Sequence, residues 1–249
     1  IFPAPGTYRL KKCLEAMSEK LITCAHRFRL APCMVAILFM ALIQLQMPSA
    51  ACPCSEIARP SPERKMLDRE AGLKFMHSPE YKQEFDQAIA GARAACEKHM
   101  NEPNVAVVSD LDETLLDNSA MFIKNPNYTQ PEFRAWVKQS AAGVLPATAD
   151  FLSWARKNGF AIFFVTGRRE NERLATIENL VHDGIGYDGL FMRKVDDHRP
   201  AEDFKSEYRK QIEDMGFKVI VSIGDQVSDL YGGNAEDCEK LPNHIYYIP

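Results

Sequence analysis

The run VAVVSDLDETLLDN, residues 105–118, constrains this chain most, because a stretch apolar enough to be buried on both faces ends directly in Asp110, Asp112 and Glu113. Like charges that close repel, so something must compensate them. A solvated turn is one explanation, since aspartate suits turns. The other is a shared task around a cation and an anionic substrate. Further apolar runs at 160–165, 189–192, 219–223 and 245–248 predict strands, and residues 147–159, 170–184 and 203–216 carry helical periodicity, each closed by a glycine suited to a left-handed cap. Strands alternating with helices predict an α/β fold, a parallel sheet with helices on both faces. Ligands of such sheets bind beyond the carboxyl ends of the strands. That rule gathers Asp110 and Asp112, Thr166, Gly167 and Arg168, and Gly224, Asp225 and Asp229 along one edge.

Two helices are expected before the first strand, over about 61–77 and 79–99, the second announced by Ser78-Pro79-Glu80. Residues 1–51 read differently. Lys20, Arg27 and Arg29 precede the uncharged run LAPCMVAILFMALIQLQ and then Ser49-Ala50-Ala51, the order of a secretory signal peptide. A membrane span is the alternative, which Pro32 and two glutamines shorten. The leader carries six of the 30 basic and two of the 34 acidic residues, so the remainder is more acidic than the whole chain's net −4. An acidic protein is a poor binder of nucleic-acid polymers. A secreted or periplasmic location is expected, with an outer-membrane lipoprotein anchored at Cys52 as the lesser alternative, because Ser49 stands where lipoprotein signals normally carry leucine. Cys52, Cys54, Cys96 and Cys238 suit an oxidising compartment, their pairing left open.

The clustered carboxylates suit phosphoryl transfer. A carboxylate can approach a phosphate only where a cation offsets the repulsion, and Mg²⁺ is bound by one or two carboxylates together with water and substrate oxygens. Asp110 and Asp225 can supply those carboxylates. Asp112, on the same strand face as Asp110, can act as general acid, while the Thr166 hydroxyl and the Lys205 ammonium complete a phosphate cradle. The thiolate-phosphatase loop, the Arg-His-Gly triplet of histidine acid phosphatases and the P-loop are all absent.

In chain order, DLDETLLDN, FFVTGRR, FKSEYR and SIGDQVSD resemble the four motifs of the haloacid dehalogenase (HAD) superfamily, specifically its subfamily IIIB acid phosphatases, which include bacterial class C enzymes and plant vegetative storage proteins. The likeness runs from about Ser78 to the end. It implies a three-layer, Rossmann-like domain over 52–249, with an N-terminal helical extension at 52–103, a catalytic core at 104–249 and a small cap at about 117–146. It implies a Mg²⁺-dependent phosphomonoesterase acting through an aspartyl-phosphate. Asp110 would be the nucleophile, Asp112 the acid and base, Thr166 the phosphate-binding hydroxyl beside Gly167 and Arg168, and Lys205 the stabilising cation. Asp225 would hold the metal, with Asp229 supporting it and the Asp112 backbone carbonyl as a further ligand. Phe122, Tyr128, Phe133 and Trp136 are candidate walls for a nucleotide base, or else pack the cap onto the core. The expected partner is a small phosphomonoester, nucleoside monophosphates among the candidates; oligomeric state is not legible. A storage or binding protein with a crippled site, a phosphotransferase and a phosphoprotein phosphatase are the alternatives. Intact Asp110, Asp112, Lys205 and Asp225 favour an enzyme, and the leader opposes action on nuclear phosphoproteins.

Overall fold

The computed structural model describes residues 52–54, 57–58 and 68–248. The leader, the first half of the helix expected over 61–77 and the Cys52 side chain, on which lipid anchoring rests, lie outside the described residues. The described chain begins with a two-residue strand β1 (Cys52–Pro53), then helices α1 (Arg69–Met76) and α2 (Pro79–Glu97). Ser78 caps α2 by accepting from the Tyr81 N–H at 3.1 Å, with Pro79 in the first turn where its missing N–H costs nothing.

The central sheet contains β2 (Val105–Ser109), β5 (Ala161–Arg169), β6 (Gly189–Arg193), β7 (Lys218–Gly224) and β8 (Asp237–Lys240), in the order β1-β8-β7-β2-β5-β6. Five strands are parallel and β1 pairs antiparallel with β8. Strand periodicity divides the core. Val105, Val107, Ile162 and Phe164 pack with Phe85, Ala92 and Phe151 from α2 and α5 (Pro146–Lys157) on one face; Ala106, Val108, Phe163 and Val165 pack with Ile212 from α7 (Ala201–Asp214) on the other. Helix α6 (Arg173–His182) follows β5 after a short 3₁₀ turn. The glycines expected to close α5, α6 and α7 all have positive φ, at +88°, +67° and +93° for Gly159, Gly184 and Gly216. From β2 the chain moves outward through β5 and β6, then returns to the other flank as β7. The strand order therefore reverses beside β2, the switch point at which such sheets bind ligands.

Residues 245–248, expected as a strand, are not one. The N–H groups of Ile245 and Tyr246 donate to the Asn243 side chain, and that of Ile248 donates to the Gln226 side chain, so side chains replace the ladder. The fifth parallel strand is instead β8, whose polar run gives no apolar signal, and Cys238 on it forms a disulfide with Cys54.

Between β2 and α5 lies the cap. A two-stranded ribbon of β3 (Leu116–Asp117) and β4 (Gly143–Val144) encloses α3 (Ser119–Lys124) and α4 (Gln130–Val137). The structure corrects two proposed pocket walls. Phe122 is fully buried and stacked on Tyr128, which is also buried and has the Arg69 guanidinium over its ring, so neither ring is open to a ligand. Both instead pack the cap against Met121 and Ile245.

Candidate active site

The sheet delivers four charged groups to one point. Asp110 follows β2, Asp225 follows β7, Asp229 ends the short 3₁₀ turn Val227–Asp229, and Lys205 comes from α7. Asp110, Asp225 and Asp229 each bring a carboxylate oxygen within 4.8 Å of the other two, and all three are buried. The Lys205 ammonium pairs with Asp229 and stands 3.1 Å from Asp110 Oδ1. Gly224 makes the approach possible, since a Cβ there would sit 2.3 Å from that of Asp229. The Gln226 N–H fixes Asp229 Oδ2 at 2.8 Å.

Three carboxylates around one ammonium shape the titration. Burial raises the Asp110 carboxyl well above the usual range; Lys205 opposes, and Asp229, Asp225 and Asp112 reinforce the rise. Burial and then Asp229 push Asp225 up to about 6, against hydrogen bonds from Asn243 and Gln226. Burial disfavours charge on Lys205, but Asp110 and Asp229 outweigh it and hold the proton on more tightly than usual.

Asp112 is turned elsewhere. The Arg168 guanidinium grips its carboxylate in a fork, with Nη2 at 2.7 Å and Nε at 3.1 Å, and Arg168 is itself buried. Asn118 Nδ2 donates to Asp112 at 3.0 Å and to Glu113 at 2.8 Å, while its Oδ1 accepts from the half-buried Trp136 indole at 2.8 Å. The Asp112 carboxylate thus stands outside the cluster of three. Thr166 is fully buried beside these groups, its hydroxyl accepting from the Arg168 N–H at 3.1 Å. Gly167 is exposed, and a Cβ built there would meet nothing within 4 Å, so the site opens at this point.

Several participants carry no assignment from the sequence. Asn243 Nδ2 and Gln226 Nε2 donate to Asp225 Oδ2 at 2.6 and 2.7 Å, and the Thr114 hydroxyl donates to its Oδ1 at 3.3 Å. Glu113 is buried, accepting from Tyr246 and Asn118, and burial and then Asp112 raise its carboxyl well above the usual range. Glu113, Thr114, Asn118 and Gln226 stand inside the motif runs and could have been suspected from position, whereas Asn243 and Tyr246 could not.

Known proteins are similar to this chain. The family model for HAD superfamily, subfamily IIIB (acid phosphatase), matches residues 68–249. The chain is 34% identical over 184 residues to acid phosphatase 1 of Solanum lycopersicum, covering 70% of this chain and 72% of that one. It is 27% identical to the stem 28 kDa glycoprotein of Glycine max, over 72% and 74% of the two chains. The fold is similar to the class C acid phosphatase of Bacillus anthracis, with a TM-score of 0.60 and 24% identity over 72% of this chain and 84% of the other.

Proposed function

Because the chain belongs to the acid phosphatases of HAD superfamily subfamily IIIB, we propose that it hydrolyses small phosphomonoesters through an aspartyl-phosphate on Asp110, with Mg²⁺ as its metal. The observation that carries this reading is the buried group Asp110, Asp225 and Asp229 with Lys205 among them. One ammonium against three carboxylates leaves two negative charges uncompensated, and among the described residues the buried Asp110 Oδ1 has only that ammonium, 3.1 Å away, beside it. A divalent cation fits that deficit, and the all-oxygen donor set suits Mg²⁺. Asp110, Asp225 and the Asp112 carbonyl would hold it, with Asp229 supporting. When bound, the ion offsets the repulsion between the Asp110 carboxylate and an anionic phosphate.

The residues then divide the work. Asp110 attacks phosphorus, forming its O–P bond as the ester P–O bond breaks. Asp112, oriented by Arg168 and Asn118, gives the leaving oxygen its proton, then takes one from the water that releases phosphate and restores Asp110. Lys205 and Thr166 neutralise and position the phosphoryl oxygens. With Phe122 and Tyr128 packed away, any nucleotide preference rests on the half-buried Phe133 and Trp136, the indole N–H of the latter already held by Asn118. Export to an oxidising compartment belongs to the same reading, supported by the Cys54–Cys238 disulfide.

The test is hydrolysis of p-nitrophenyl phosphate and a nucleoside monophosphate panel, with Mg²⁺ or EDTA, beside Asp110→Asn. Metal-dependent turnover is expected, falling by about a thousandfold or more in the variant. A folded protein with no turnover from acidic to neutral pH would make a storage or binding role the better reading.

A further inference from the structure

Arg169 and Arg193 face each other as register partners on β5 and β6, both half-buried. Arg169 directly follows Arg168, which grips Asp112. A third arginine, Arg134, lies on the cap helix α4 two residues before Trp136, which reaches Asp112 through Asn118. Just beyond α4 the Ser140 hydroxyl donates to the Ala175 carbonyl on α6 at 2.9 Å, tying this end of the cap to the element after β5. Strand β5, whose Arg168 grips Asp112, and the cap helix α4, linked to Asp112 only through Asn118, thus each carry a further arginine at this end of the fold.

Among the described residues, none of these three guanidiniums has a carboxylate within ion-pair distance. Arg169 donates to the Val195 carbonyl, and Arg193 donates to the carbonyls of Asp197, at 3.1 Å, and of Arg199. The nearby carboxylates Asp197 and Glu207 are already engaged by Arg199, at 2.7 Å each. Arg193 holds its proton less tightly than usual, chiefly through burial; Asp197 opposes, while the like charges of Arg169, Arg134 and Arg199 add to the effect. The Arg193 guanidinium also lies over the Phe204 ring, 4.9 Å to the centroid, a contact that neither Arg134 nor Arg169 shares among the described residues. Partly dehydrated cations gathered without counter-charge favour an incoming anion, and guanidinium forks match phosphate in shape.

We propose that Arg134, Arg169 and Arg193 form a second anion subsite at the rim, so that the phosphomonoesters turned over best carry a further phosphate on the leaving portion. This inference rests on the phosphatase reading above and adds a substrate class to it. The first phosphate sits at Asp110 while the second is held by groups that never touch the reacting atoms. Its contribution therefore enters mainly through substrate binding.

The test uses α,ω-alkanediol bisphosphates of three to six carbons beside the matching monophosphates, with p-nitrophenyl phosphate as reference, on the wild-type protein, Arg134→Gln and Arg193→Gln. After allowing twofold for two equivalent esters, the best bisphosphate should exceed its monophosphate in kcat/KM by about tenfold or more, as one or two charge-assisted contacts supply. The advantage should lie in KM and shrink severalfold in each variant. Activity on p-nitrophenyl phosphate should stay within about twofold, which reports that the variants fold. Arg134→Gln is the cleaner probe because, among the described residues, no hydrogen bond or ion pair depends on that side chain. Bisphosphates no better than monophosphates in the wild type, or an advantage that survives both substitutions, would overturn the subsite while leaving the phosphatase reading intact. Absence of turnover on every substrate would remove both.

Discussion

Replacing Asp225 with asparagine should stabilise the metal-free protein while destroying its metal site. The Asp225 carboxyl is pushed from 3.8 up to about 6, by burial first and Asp229 second. A carboxyl that binds its proton more tightly folded than unfolded favours the native state at low pH. Its cost develops as pH rises from 3.8 to about 6 and is complete above that. A shift of about two units corresponds to about 3 kcal/mol at pH 7. Asparagine escapes the cost because its carbonyl can take the place of Oδ2, accepting from Asn243 and Gln226, while its amide faces the Thr114 hydroxyl, which can accept. In EDTA at pH 7 the gain should approach 3 kcal/mol, or about 6–12 °C in Tm for a chain of this size. It should fade on acidification through 6 and vanish near pH 4. Mg²⁺ should then raise the Tm of the wild type and leave the variant unmoved. Calorimetry at pH 7, 5.5 and 4, with and without Mg²⁺, checks all three limbs. A variant less stable than wild type at pH 7 in EDTA, or a gain undiminished at pH 4, would refute the reasoning.

Three further outcomes follow from the geometry. Gly224→Ala places a methyl 2.3 Å from the Asp229 Cβ, so it should cost about 1–3 kcal/mol in urea unfolding and weaken Mg²⁺-induced stabilisation by displacing Asp229. Removing the Cys54–Cys238 bridge, which joins residues 184 apart, should cost up to about 5 kcal/mol by loop-closure entropy, read as a lower urea midpoint for the double serine variant. Arg168→Lys keeps a charge but loses the fork on Asp112; kcat should fall about 10- to 100-fold with KM for p-nitrophenyl phosphate little changed, and an unchanged kcat would dismiss Arg168 as an orienting group.

The parts of the fold legible in the sequence are those whose causes are local. Val105–Ser109 and Lys218–Gly224 are apolar because both their faces are covered, and the carboxylates just beyond mark where cover ends. Residues 245–248 looked the same for a different reason. Ile245 and Tyr246 are apolar because they pack against the cap, and their backbone is tied by Asn243 and Gln226. Conversely β8 is a true strand with the sequence DCEK, in which only Cys238 needs burial. Period and composition report what a side chain faces, and the ladder need not follow.

The site divides along the same line, and Glu113 shows it best. In DLDET it reads as one more acid beside Asp112. Folded, it has φ +54°, in the left-handed region that L residues seldom enter, and is almost fully buried. Its partners are Asn118, which opens the cap, and Tyr246, 133 residues along the chain. No spacing rule links positions that far apart. Yet these contacts decide what the neighbouring carboxylates can do. Glu113 takes one hydrogen of the Asn118 amide group that also reaches Asp112, so the strained turn, the cap and the C-terminal segment meet within one side chain of the proposed acid. A carboxylate at 113 therefore acts as a joint, tying Asn118, and through it Asp112, to the C-terminal segment.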